Sequence, residues 1–309
     1  MAIVNPKQEY TYEQMEKDID MLQQTYPDII TKEVIGYSVD GRNIYAIKLG
    51  TGKAEIFLNG AHHAREWLTT CLLMHMLETY SKAYTNKAKI GAYDAHHILS
   101  NTAVWFVPMV NPDGVMLVQQ GHKSASNPEK VLLLNDGSAD FSSWKSNIRG
   151  VDLNRQYPAD WDEIADDTGK PGPMMYKGPY PLSEPESKAM VDFTLKHDFK
   201  TAVAYHSSGE ELFWKYKISG ELLNTSRRLA EMICDKTGYE LVFPGQNPSG
   251  GGYTDWFLTH IKQPGFTPEI SPLVGPRPVP LENYDKIWND NKEVGLMLAH
   301  EVNLNKEKR

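Results

Sequence analysis

The chain has 309 residues, of which 40% are hydrophobic and 23% charged, with a formal net charge of -8 and a pI near 5.7. That composition fills one sizeable core, offers no run of about 18 apolar residues able to span a bilayer, and lacks the basic footprint of a nucleic-acid-binding domain. The two cysteines, Cys71 and Cys234, lie in apolar helical contexts and read as buried free thiols, so neither a disulfide framework nor a four-cysteine zinc site is expected.

In chain order, Thr11-x-x-Gln14 predicts a capping box that opens a helix running toward Gln24. Apolar segments at residues 43–49, 54–58, 103–110, 201–204 and 265–268 predict strands. Helical spacing over residues 67–80 predicts a packed helix, Ser183-x-x-Glu186 predicts a second capping box before His197, and residues 282–302 predict a final helix. Residues 118–147 lose their periodicity among Gln, Ser, Asn, Asp and Gly, and residues 159–180 are rich in Pro, Gly and Asp. Both stretches are expected to be long surface loops and candidate walls of a cleft. Helices alternating with apolar strands predict an α/β sheet covered on both faces, in one domain spanning 1–309 with its core at about 10–300 and a short polar C-terminal tail.

The most informative stretch is Asn59-Gly60-Ala61-His62-His63-Ala64-Arg65-Glu66-Trp67, which sets histidine and carboxylate one helical turn apart just after a predicted strand. Imidazole with carboxylate suits catalytic zinc. Both His63/Glu66 and His62/Glu66 satisfy the spacing, which does not choose between them. Asn111-Pro112-Asp113-Gly114, Gly150-Val151-Asp152-Leu153-Asn154-Arg155, Tyr205-His206-Ser207, Gly250-Gly251-Gly252-Tyr253-Thr254-Asp255-Trp256 and Phe266-Thr267-Pro268-Glu269-Ile270 follow. Because His63/Glu66, Asn111, His206 and Glu269 fall at predicted strand ends, they are expected to converge at the carboxyl edge of one sheet, where open α/β sheets bind ligands.

In their order and intervals, these motifs resemble the zinc carboxypeptidase family, the carboxypeptidase A-like metallopeptidases, from about Tyr10 to about His300. The resemblance implies a central mixed, mainly parallel twisted sheet flanked by helices, and one zinc ion per chain held by His63, Glu66 and His206; His62 becomes the second choice. It implies Glu269 as general base, Asp152 as the carboxylate that orients the first zinc histidine, Asn154 and Arg155 as anchors for the carboxylate of the leaving residue, and Arg65 as a further cationic subsite.

Three positions depart from the animal pattern. Trp144-Lys145 stands where tryptophan-arginine is expected, so Lys145, or a nearby arginine such as Arg149, is expected to stabilise the oxyanion. The place of the mobile active-site tyrosine falls at about Asn247, with Tyr253 the nearest tyrosine in the glycine loop. Thr254 takes the floor of the specificity pocket, with Tyr253 beside it, which suits a polar substrate side chain.

The wording around Trp144 to Arg155, Tyr205 to Gly209 and Thr267 to Ile270 resembles the bacterial branch that includes γ-D-glutamyl-L-diamino acid endopeptidases, enzymes that cut between D-glutamate and meso-diaminopimelate in cell-wall peptides. A peptide or muropeptide is therefore the expected partner, with no nucleic acid and no membrane. The runner-up is a general metallocarboxypeptidase, and more distant readings are an amidohydrolase or a non-catalytic peptide-binding module of the same fold. The N-terminal segment lacks the pattern of a secretory signal. As given, the chain is expected to be cytoplasmic, acting on wall material after release or through a targeting region not included.

Overall fold

A computed structural model describes residues 2–245 and 248–307. Its strands are β1 (Ile30–Tyr37), β2 (Asn43–Leu49), β3 (Ala54–Gly60), β4 (Lys89–Ile90) and β5 (Tyr93–Asp94) as a separate two-stranded hairpin, β6 (Thr102–Val107), β7 (Phe199–Ser207), β8 (Glu211–Phe213), β9 (Glu240–Leu241) and β10 (Gly265–Ile270). The main sheet has the order β1-β2-β6-β3-β7-β10-β8-β9. Its central strands β6, β3, β7 and β10 run parallel, β8 and β9 are parallel to each other, and β1–β2, β2–β6 and β8–β10 pair antiparallel. The sheet is thus mixed and mainly parallel, as expected.

The helices are α1 (Tyr12–Thr25), α2 (Leu68–Thr85), α3 (Ala95–Asn101), α4 (Pro112–Gln120), α5 (Pro128–Leu134), α6 (Pro185–Leu195), α7 (Gly220–Thr237), α8 (Tyr253–Trp256), α9 (Tyr284–Asn291) and α10 (Val294–Glu307). Side chains of a strand alternate between the faces of its sheet. Ile56 and Leu58 of β3, with Val104 and Phe106 of β6, pack into the core that holds α2 and α10. Phe57, Trp105 and Val107 pack into a second core with Met190 and Phe193 of α6. Burying each such side chain contributes roughly 1.5–3 kcal/mol, which is why the parallel strands read as almost unbroken apolar runs.

Several elements differ from their predicted form. β6 stops at Val107 instead of residue 110; Pro108 follows, and a proline lacks the N–H that a ladder requires. Half of the Thr11 capping box forms, since Thr11 Oγ1 accepts from Gln14 N at 3.2 Å while the Gln14 amide turns to Asp18. The second box does not form. Glu184 is the N-cap of α6, Pro185 opens the helix, and Ser183 Oγ donates to Gln156 Oε1. Residues 118–147 are not a loop throughout, because they contain α5, and Val131, Phe141 and Trp144 form a small core with Ile148 just beyond. The final predicted helix is two helices. Tyr80 hydroxyl donates to Lys292 O at 2.8 Å at the break, and any Cβ at Gly295 would meet the Tyr80 ring at 3.0 Å. Cys71 is buried, but Cys234 is only partly so.

Candidate active site

The chain leaves β3 through a tight turn in which Ala61 adopts the left-handed region, with φ 52°. Thr69 Oγ1 accepts from Ala61 N at 2.8 Å and donates to Glu66 O at 2.8 Å. From the end of β6, Asn111 Nδ2 donates to His62 O while its Oδ1 caps α4 on Gly114 N. Lys145 O and Trp144 O accept from Ala64 N and Arg65 N. The segment is therefore clamped from three sides. His63 lies in extended backbone and Glu66 ends a single 3₁₀ turn, so the pair meets at a strand-helix junction and not on a regular helix face.

His206 arrives at the end of β7, and the parallel register aligns it with Glu269 on β10. His63 Nδ1 and His206 Nδ1 lie 3.0 Å apart; Glu66 Oε1 is 2.8 Å from the first and Glu66 Oε2 2.9 Å from the second. All three side chains are buried. His63 Nε2 faces Asp152 Oδ1 at 3.1 Å, and since a carboxylate only accepts, that nitrogen carries the ring proton. His63 Nδ1 is then the ring atom turned toward the second imidazole and the Glu66 carboxylate. Such an arrangement calls for a cation, and these three residues are the one group among the described residues with metal-ligand geometry. Burial alone would raise the Glu66 acid, yet His63 and His206 hold it below the usual carboxylate range. Burial, and then the neighbouring His63 ring, lower His206, while Glu66 opposes them.

Asp152 does more than orient His63. Its Oδ1 also accepts from Asn154 N at 3.1 Å, and its Oδ2 accepts from Arg155 Nη1 and Met175 N at 3.3 Å each, with Lys145 Nζ 3.7 Å away. Burial raises this acid, but Lys145, His63 and Arg155 more than offset that and hold it well below its usual range. One buried carboxylate thus sets the positions of the histidine, the lysine and the arginine. Glu269 is partly exposed. Burial first, and then the Glu66 charge, push its acid up, while Lys145 and Arg65 partly oppose them.

The family pattern described as zinc carboxypeptidase matches residues 15–272. This chain belongs to the zinc carboxypeptidase family. Like the family, it is a metallopeptidase, and the His63, Glu66 and His206 cluster fits the metal that the family name implies. A γ-D-glutamyl-L-diamino acid endopeptidase 1 from Lysinibacillus sphaericus is 37% identical over 96% of this chain and 73% of its own length. Carboxypeptidase B from Astacus astacus is 30% identical over 67% of this chain and 63% of its own. Among solved structures, bovine thrombin-activatable fibrinolysis inhibitor superposes with a TM-score of 0.78 at 20% identity, covering 97% of this chain and 99% of that one. That likeness concerns the fold. Among the described residues, no helix is long and apolar enough to cross a membrane.

Around this zinc carboxypeptidase centre the remaining expected residues separate into two groups. Asn154 Oδ1 accepts from Tyr253 N at 3.0 Å and so ties the glycine loop to the motif ahead of Arg155. Glycine is required there: a Cβ on Gly250 would lie 2.2 Å from Ala159 O, and Gly251, at φ +85°, sits against the Arg155 backbone. Thr254 Oγ1 meets Thr267 Oγ1 at 2.6 Å, and both line a pocket of about 320 Å³ with Trp214, Lys215, Asp255 and Leu258. Arg65 Nη1 donates to Ser143 O at 2.9 Å.

Other expectations move away from the centre. Tyr253 is fully buried, its hydroxyl on Thr194 and its ring against Tyr157 and Phe57, because the first residue of α8 faces the sheet; it does not reach the pocket. Arg149 is exposed and pairs with Glu184 at 3.6 Å, which removes it as an oxyanion group. His62 points beneath the site to Tyr157 OH at 2.8 Å, where burial holds it well below its usual value. Asn247 lies outside the described residues. The sequence did not reveal the shared counter-ion role of Asp152, nor Asp166, whose carboxylate meets Arg155 from 11 residues away; no spacing rule connects a loop aspartate to that arginine.

Proposed function

We propose that this chain is a single catalytic domain that hydrolyses the γ-D-glutamyl-meso-diaminopimelate bond of bacterial cell-wall stem peptides, with one zinc ion held by His63, Glu66 and His206. The observation that carries the substrate is the pocket floor. Paired hydroxyls of Thr254 and Thr267 beside Asp255 and Lys215 suit the polar end of a side chain bearing both charges, while the walls of Phe213, Trp214, Tyr216, Pro248 and Leu258 pack its aliphatic stem. The likeness to the γ-D-glutamyl-L-diamino acid endopeptidase 1 of Lysinibacillus sphaericus supports the same choice.

Bound zinc supplies a Lewis acid that lowers the pKa of a water to about 7 and polarises the scissile carbonyl. Glu269, with its raised proton affinity, takes the proton released in the attack and passes it to the leaving amine. Lys145, held by Asp152, faces the negative charge that develops on the carbonyl oxygen. Arg155 and Asn154 hold a carboxylate of the leaving residue, the guanidinium through a planar fork, and Arg65 adds positive charge at the cleft wall.

A general carboxypeptidase is the second reading, favoured by the Asn154-Arg155 pair and by the carboxypeptidase B relatives. Purified wall tripeptides and hippuryl dipeptides, digested side by side and followed by mass spectrometry, separate the two. Release of diaminopimelate-containing product at a much higher kcat/KM supports the proposal. Comparable or faster cleavage of the hippuryl substrate would replace it with the second reading.

A further inference from the structure

The Arg155 guanidinium already holds two carboxylates. Nη1 donates to Asp152 Oδ2, while the opposite edge meets Asp166, with Nη2 to Oδ2 at 2.5 Å and Nε to Oδ1 at 3.4 Å. This side-on, two-point contact is the way an arginine receives any carboxylate. A carboxylate of the chain itself therefore sits on the fork assigned above to the substrate.

Asp166 is placed to be displaced. Its side chain is 41% exposed against 15% for Arg155, whereas Asp152, the other partner, is fully buried. The loop that carries it is fastened by contacts that do not involve it. Trp161 Nε1 donates to Lys177 O at 3.3 Å, Asp167 Oδ1 accepts from Gly169 N and Lys177 N at 3.1 Å each, and Thr168 N donates to Met175 O at 3.4 Å. Rotating the Asp166 side chain away exposes the fork without unmaking the loop. Hydrogen bonding to Arg155 lowers the Asp166 acid, so the competitor is ionised at neutral pH.

We propose that Asp166 is a specificity-determining residue, a built-in carboxylate that competes with the substrate carboxylate for Arg155. A leaving residue anchored by its carboxylate alone must displace Asp166 and binds weakly. One that also gains polar contacts in the Thr254 pocket overcomes the competition, so the loop biases the enzyme against ordinary C-terminal residues. The inference rests on the assignment of Arg155 to the substrate carboxylate.

The test uses Asp166→Asn, which removes the charge and keeps the size, with Asp166→Ala as a second variant. The substrates are a hippuryl dipeptide with a free C-terminal carboxylate and its C-terminal amide. Freed from a partly exposed ion pair, the fork should bind the acid more tightly, lowering its KM about three- to thirtyfold with kcat unchanged, and leaving the amide unaffected. Calorimetry of the acid binding to chelator-treated protein should show the same gain without turnover. If neither the parent nor the two variants distinguish acid from amide, the Arg155 assignment fails and takes this inference with it. If the parent prefers the acid but both variants keep its KM and Kd, the assignment stands and the inference is overturned. A raised KM for the acid in both variants would also overturn it, since Asp166 would then be helping to bind substrate.

Discussion

Replacing Asp152 by Asn keeps the shape of the buried hub and removes its charge. The carboxylate accepts on both sides: Oδ1 from His63 Nε2 and Asn154 N, and Oδ2 from Arg155 Nη1 and Met175 N, with Lys145 nearby. An amide has one accepting atom. If its oxygen stays toward His63, its NH₂ opposes the donors of Arg155 and Met175; if it flips, the NH₂ opposes His63 and Asn154. Hydrogen bonds to ionised groups contribute roughly 1.5–3 kcal/mol each, and losing the partner of a metal-ligating histidine typically costs about 10–100-fold in metal affinity. We therefore expect the zinc Kd of Asp152→Asn to rise roughly 10–100-fold, equivalent to about 1.4–2.8 kcal/mol. Competition with a chelator of known affinity measures this, with circular dichroism as the control for folding. The metal-free variant should also unfold at lower temperature, because Lys145 and Arg155 lose a buried counter-charge. A folded variant with parental zinc affinity would refute the hub reasoning.

His206→Ala should abolish tight zinc binding, and stoichiometric metal with full activity in that variant would remove His206 from the ligand set. Glu269→Gln should keep parental zinc content and lose about 10²–10⁴ in kcat; comparable turnover would rule out the proton-transfer role. A pH effect is expected away from the site at Glu186, a buried acid that accepts from Val39 N and Asn147 Nδ2 and that burial pushes up to about 8 from 4.5. Between those values the folded chain keeps a proton that the unfolded chain has released, so stability falls as pH rises through that window. Glu186→Gln cannot titrate, so although its NH₂ opposes one of these donors at every pH, its stability relative to the parent should improve between pH 5 and pH 9 by roughly 2–4 kcal/mol. Thermal unfolding of the chelator-treated proteins across pH checks this, and parallel curves would contradict it.

The central strands were legible because they are buried on both faces and therefore carry dense apolar runs. Edge strand β1 was not, since its sequence Ile-Thr-Lys-Glu-Val-Ile-Gly-Tyr leaves most side chains partly or fully exposed and has no clean alternation. Convergence of His63, Glu66, His206 and Glu269 followed from their places at strand ends, whereas the choice between His62 and His63 needed the turn at Ala61 that sends one ring beneath the site and the other into it. Motif position placed Tyr253 beside Thr254, but a helical start turns adjacent residues to different faces, and only Thr254 meets the pocket. Contacts between loops, such as Asp166 with Arg155, depend on tertiary closure and leave no local pattern.

The ladder between β7 and β10 aligns Glu269 with His206 through backbone pairing alone, and both strands are interior to the sheet. Neighbouring strands stay about 4.8 Å apart whatever their side chains, so the spacing of acid and histidine is a property of the scaffold. The pocket walls, by contrast, come from loops and the glycine run. Local opening concentrates in such segments, while central ladders open only with the whole domain. Substrate preference can therefore drift through insertions and loop replacement, but hydrolytic geometry persists until the sheet itself comes apart.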